Sequence, residues 1–201
     1  ATSASWHYAL HAWEGHFFRG PSIRALTRSI IALTSLAVLS VPAAAQDHDI
    51  ARQDYFRAVA TFFNLPPNEI VILSEWEMPA DEIPVVLFMA RRAGVSPEAL
   101  VALRDSGRGW SALADRYSVR AAAFHVPVPD DAPAGRLEDA YRLFRSTPVG
   151  EWGALRLSDD HIVGLVNVRV ISQSLRIPAE RVLAETGQPG TFLDLYVRLK
   201  R

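Results

Sequence analysis

The sequence predicts an all-α protein: a small orthogonal bundle of short helices, built from repeated helix-turn-helix hairpins and divided by a proline-rich central connection. Three observations lead there. Ile83, Val86, Leu87 and Ala90 recur at the i, i+3, i+4, i+7 spacing that lines one face of a helix. Helix stop and start residues then agree at successive boundaries: Gly94, the pair Ser96-Pro97, and Gly107. Thirdly, the pattern recurs. LPPNEIVIL at Leu65–Leu73 matches VSPEALVAL at Val95–Leu103 with an offset of 30, and IPAERVLAE at Ile177–Glu185 is a looser copy. Shifting that copy by 82 also aligns Trp110 with Phe192. No fixed period covers the chain, which argues against a regular solenoid.

In chain order, a first helix is expected over Asp49–Phe63, with Ile50, Phe56, Val59, Ala60 and Phe63 facing inward. Leu65-Pro66-Pro67 closes it and opens a second, Asn68 to Trp76, which Met78-Pro79 breaks. Asp81 reads as the N-cap of the next, where Pro84 is tolerated because first-turn amides lack intrahelical partners. Arg91 and Arg92 suit its negative end. Ser96 caps the following helix, with Glu98 in its first turn. Trp110, Leu113, Ala114 and Tyr117 form a further apolar stripe.

Arg120-Ala121-Ala122-Ala123 extends the helical pattern, but His125–Pro133 is an extended, proline-rich connection that divides the domain into lobes 46–126 and 137–201. Leu137–Arg145 is a short helix with Leu137, Ala140, Tyr141 and Phe144 on one side. Thr147-Pro148 ends it and Trp152 anchors the next turn. Ser158-Asp159-Asp160 caps a segment running to Leu175. Within it, Val166–Val170 alternates with a strand period. The spacing of Val163, Val166 and Val170, and a kinship with Ile83–Ala93, favour helix for 163–171. Leu193–Arg198 closes the chain as a final helix.

Arg19, Arg24 and Arg28, the uncharged run SIIALTSLAVLSV and then Ala43-Ala44-Ala45 have the layout of a secretory signal peptide over residues 21–45. The run is shorter than the ~20 apolar residues a membrane-spanning helix needs. The expected mature chain, a single domain over 46–201, begins after cleavage near Ala45 and is periplasmic or secreted, with no stable membrane span. Residues 1–20 read as upstream translation or a fragment start. That mature chain is mildly acidic, and it carries no basic run, so no nucleic-acid partner is expected. Cysteine is absent, which excludes disulfides and thiolate chemistry.

Three stretches also carry a resemblance: Asp81–Phe88 (DEIPVVLF), Leu103–Trp110 (LRDSGRGW) and Leu157–Asn167 (LSDDHIVGLVN). Their order resembles a group of uncharacterised exported bacterial helical proteins across most of residues 50–198. The resemblance implies a helical fold and no activity. That group's Gly- and Tyr-rich middle stretch is replaced here by Gly135–Arg142.

No catalytic, cofactor-binding or metal-ligating set is assigned. Of the mature histidines His48, His125 and His161, His161 beside Asp159 and Asp160 has the chemistry of a ligand or base, but reads as a solvated first-turn side chain. His7, His11 and His16 precede the expected cleavage site. Ser111 and Ser158 read as helix caps rather than nucleophiles. Trp110–Val126 has the outline of a DNA-binding helix-turn-helix, with Arg120 as the one basic candidate on its second helix. The residues assigned to a core or groove are Trp76, Trp110, Tyr117 and Trp152. The resulting expectation is an exported, non-enzymatic module that binds another envelope protein or peptide. The alternatives are a helix-turn-helix DNA binder and an extracytoplasmic hydrolase with a dispersed site.

Overall fold

The computed structural model describes residues 43–66, 69 and 75–201. Among these the chain is all-α, with no strand: α1 (Ala43–Phe62), α2 (Ile83–Ala93), α3 (Pro97–Asp105), α4 (Trp110–Arg116), α5 (Ala121–Phe124), α6 (Glu138–Ser146), α7 (Asp159–Leu175), α8 (Ala179–Glu185) and α9 (Phe192–Lys200). Short 3-10 turns at Ala80–Glu82, Gly135–Leu137 and Val149–Ala154 link them. Residues 1–20, the predicted signal peptide over 21–45 up to residue 42, and most of the predicted helix Asn68–Trp76 lie outside the described residues. Among the described ones, no helix is long and apolar enough to cross a membrane.

Two helices make the centre. Every residue of α2 from Ile83 to Ala90 is buried, so the stripe seen in the sequence belongs to a helix covered on all sides. Beside it runs α7, which buries Ile162, Leu165, Val166, Val168, Val170 and Ile171. Residues 163–171 are thus helical. Their strand-like alternation arises because an all-round buried helix needs apolar residues at nearly every position. Burial outweighs the few tenths of a kcal/mol by which each β-branched residue disfavours helix. Around this pair, α7 touches α1, α4, α5, α8 and α9, elements from both sides of the proline-rich connection.

One polar side chain sits in that apolar contact. Asn167 is fully buried; its Oδ1 accepts from the Tyr55 hydroxyl of α1, and its Nδ2 donates to the carbonyls of Asp81 and Val163, each at 2.8 Å. Every strong bond it makes fixes α7 against another part of the chain or against its own preceding turn. Burial pushes the Tyr55 hydroxyl well above its ordinary pKa, so it stays a donor.

Three sequence expectations are corrected. Asp81 does not cap its own helix: the 3-10 turn Ala80–Glu82 runs straight into α2, placing Asp81 inside the helical run. Its carboxylate instead accepts from the backbone amides of Phe192 (2.9 Å) and Leu193 (3.1 Å), capping α9 from 111 residues away. Ser111 is not the cap of α4 either; Gly109 holds that position, and Asp159 Oδ1 accepts from the Ser111 amide at 2.8 Å. Lastly, Ile50 is 60% exposed. The buried side of α1 is centred on Tyr55, Phe56, Val59 and Phe63, and nine residues before Val59 is half a turn round the helix.

Other signals hold. Gly94 stops α2 at φ 68°, Ser96 accepts from the Ala99 amide, and Ser158 opens α7 in a capping box with His161. Leu137, Ala140, Tyr141 and Phe144 are all buried as one face. Gly164 lets the turn before α6 approach α7: a Cβ there would stand 2.4 Å from a Leu137 methyl.

Replacing Asn167 by Leu keeps the volume but strands the Tyr55 hydroxyl and the Asp81 carbonyl. The expected cost is about 1–3 kcal/mol in urea unfolding, with part of it recovered when Tyr55→Phe is added. Equal stabilities for Asn167→Leu and the unsubstituted chain would show that Asn167 has no such role.

Candidate functional site

The aromatic residues singled out in the sequence occupy different surroundings. Trp110 is fully buried, and its indole N–H donates to Glu82 Oε2 at 3.1 Å. The same carboxylate takes Arg104 through Nε (2.7 Å) and Nη2 (2.9 Å), a bidentate pair in a half-buried setting. That guanidinium lies 5.5 Å from the centre of the Trp110 ring and 4.0 Å from Asp159 Oδ2. Asp159 in turn holds the start of α4, and a Cβ at Gly109 would come within 2.7 Å of its carboxylate. Glu82, Arg104, Trp110 and Asp159 come from the three stretches DEIPVVLF, LRDSGRGW and LSDDHIVGLVN. In three dimensions those stretches are one polar network that joins α2, α3, α4 and α7.

Trp152 is half-buried. Its indole N–H is shared between the carbonyls of Thr147 (2.9 Å) and Phe144 (3.1 Å), and its ring packs against His125 and Phe144, with centroids 4.3 and 5.0 Å away. His125 is thereby boxed by Trp152, Phe144 and Tyr141. On the other side Arg169 of α7 donates to the carbonyls of Ala123 (3.0 Å) and His125 (2.7 Å), pinning the start of the proline-rich connection. Tyr117 is half-buried at the end of α4 beneath the Arg116 guanidinium, and Trp76 is half-buried against the core.

The hollow that these elements leave open lies elsewhere. Between the α4–α5 corner and the segment Gly153–Leu157, where the 3-10 turn runs out toward α7, is a cleft of about 320 Å³. Its walls include Phe124, Leu157 and Ile162, all buried, and its rim carries the ion pair Asp115–Arg156 together with Arg120, all solvent-exposed. Ser118, at φ 55°, makes the turn that separates α4 from α5. Because Phe124, Leu157 and Ile162 are almost wholly covered, the surface the cleft exposes is mostly polar, Ser111 and Ser118 adding to the charged rim, and it suits a polar or charged stretch of chain.

None of Trp76, Trp110, Tyr117 and Trp152 lines this cleft. Of the residues that do, Ser111, Ala114 and Arg120 stand out in the sequence for other reasons, but Asp115 and Arg156 are 41 positions apart, and only the fold brings them together. The outline of Trp110–Val126 was the one local signal at the place. Its second helix is a single turn, with Ala121 and Phe124 turned inward. His161 is where a first-turn residue would be, its Nδ1 accepting from the Ser158 amide. Among the described residues no three His, Asp or Glu side chains gather as metal ligands, and His7, His11 and His16 lie outside them. No family model, curated protein or solved structure matches the chain.

His125 sets a pH dependence. Burial, and then the nearby Arg169 charge, hold its imidazole below the ordinary histidine value. The unfolded chain therefore takes up the proton first. Stability is full above the unfolded pKa of about 6.5 and falls as pH drops through that value toward the lower folded one. Urea midpoints measured from pH 7.5 downward are expected to decline more steeply for the unsubstituted chain than for His125→Phe. Parallel curves for the two would remove this role.

Proposed function

We propose that the protein is an exported, non-enzymatic binding module that takes a segment of another envelope protein or peptide into the cleft between the α4–α5 corner and residues 153–157. The observation that carries this reading is the form of the cleft: a mostly polar hollow floored by Phe124, Leu157 and Ile162 and rimmed by the charges of Asp115, Arg120 and Arg156. Polar and charged groups of the segment would meet that rim. Such a site recognises a short stretch of chain rather than a base edge. The corner's second helix is one turn long and uses Ala121 and Phe124 for packing, which weighs against the helix-turn-helix alternative. The leader over residues 21–45 supports the location outside the cytoplasm.

We also infer that the module arose by duplication with an offset of 82. Gly94 and Arg176 both take positive φ, 82 residues apart, and each is followed by a residue whose amide bonds back five positions: Val95 to Ala90 and Ile177 to Ser172. Pro97 and Ala179 open α3 and α8, and Trp110 and Phe192 open α4 and α9, at the same offset. The caps are exchanged between the halves, since Asp81 holds α9 and Asp159 holds α4.

The binding reading is tested by selecting short random peptides displayed on phage against the protein. Peptides enriched on the unsubstituted chain should lose at least tenfold in affinity on Ala154→Trp, which fills the cleft from its exposed edge. Charge reversal of Arg156 should change which flanking residues are selected. Peptides that bind Ala154→Trp equally well, or no enrichment at all, would defeat the proposal.

A further inference from the structure

The outer side of α1 has a form of its own, independent of the cleft. Asp47, Ile50, Asp54, Arg57, Ala58 and Thr61 fall on one stripe at spacings of three and four, opposite the buried face. Two hollows border this stripe. One, about 340 Å³, lies between the first half of α1 and α9, with Ile50, Ala51 and Val197 among its walls. The other, about 480 Å³, is framed on α1 by Asp54, Arg57, Ala58 and Thr61, with Arg176 and Lys200 on its flanks. Residues at i, i+3, i+4 and i+7 are the four that make a hole for a side chain of a facing helix. The small Ala58 leaves that hole open, and Ile50, 60% exposed, is a projecting knob four residues before Asp54.

Charge is arranged along the same line. Asp47 stands exposed at the start of the stripe. Toward its other end Arg57, Arg176 and Lys200 line the second hollow with a single carboxylate, Asp54, which Arg57 contacts at 2.9 Å and Lys200 at 2.7 Å. The second hollow is therefore basic, and what fits it is a helix that offers a branched apolar side chain preceded by acids. This chain contains such a segment: Asp47-His48-Asp49-Ile50.

We propose that the occupant is a second copy of the chain, the two α1 helices packing antiparallel about a two-fold axis near Asp54. Ile50 of each copy enters the Ala58 hole of the other, and Asp47, on the same stripe, meets the other copy's Arg57. Antiparallel packing also sets the positive start of each helix beside the negative end of its partner. The contact is self-complementary, as a closed dimer requires. From residue 46, where the expected mature chain begins, to Phe62 the helix is roughly 25 Å long. With the bordering surfaces of α7 and α9, that span can supply the ~800 Å² per partner typical of a stable interface.

Sedimentation equilibrium over a concentration series of the full chain, as purified from expressing cells, tests this. The unsubstituted chain is expected to be a dimer, and Ile50→Asp to raise its dissociation constant at least tenfold with an unchanged circular-dichroism melt. Arg57→Asp should weaken the dimer similarly, and pairing it with Asp47→Arg should restore association, an outcome that mere loss of folding cannot produce. A monomer throughout the series, or a dimer indifferent to Ile50→Asp, would overturn the proposal. A partner bound on this face by Ala154→Trp protein would not bear on the cleft, so the two readings fail separately.

Discussion

The contact between α2 and α7 sets the terms for everything around it. Each is buried on nearly all sides, so neither has a solvated face to define its rotation or axial position. Apolar packing alone tolerates sliding of such helices, because one methyl exchanges for another at small cost. Asn167 removes that freedom. Its amide is satisfied only where Tyr55 and the Asp81 carbonyl meet it, and any other register strands several polar groups in an apolar medium.

A second layer of polar contacts works the same way at the helix ends. Asp81 and Asp159 stand next to the two central helices, and each serves the first turn of a helix in the other half of the chain. Burial works against the charge of Asp81, while two backbone amides favour it; its pKa is raised, so the desolvation is the larger effect. Glu82 and Arg104 add a bidentate link that also receives the indole of Trp110. The halves are thus tied by directional bonds as well as by oil-like packing.

How much of this could be read from residue order depends on the range of the interaction. Helix starts and stops at Gly94, Ser96 and Ser158 follow from contacts within four residues, and the buried face of α6 follows from a period of 3.6. The turn at Trp152 was legible because its indole bonds carbonyls five and eight residues back. Asp81 was misassigned for the converse reason: a cap acting across 111 residues has the same local grammar as one acting across three. Ile50 is apolar and near a periodic stripe, yet the stripe's phase is set by Tyr55, whose partner Asn167 is 112 residues away. The cleft was hidden likewise, since Asp115, Phe124 and Arg156 share no pattern until α4, α5 and the 153–157 segment are folded together.

The reach of Asp81 has a consequence for how the molecule holds together. The amides it receives belong to Phe192 and Leu193, and the helix they open packs on Tyr55 of α1. Loosening α9 would leave a partly buried carboxylate without the amides that offset its desolvation, and would uncover the Tyr55 ring. Fraying at that edge is thereby penalised at the centre of the bundle.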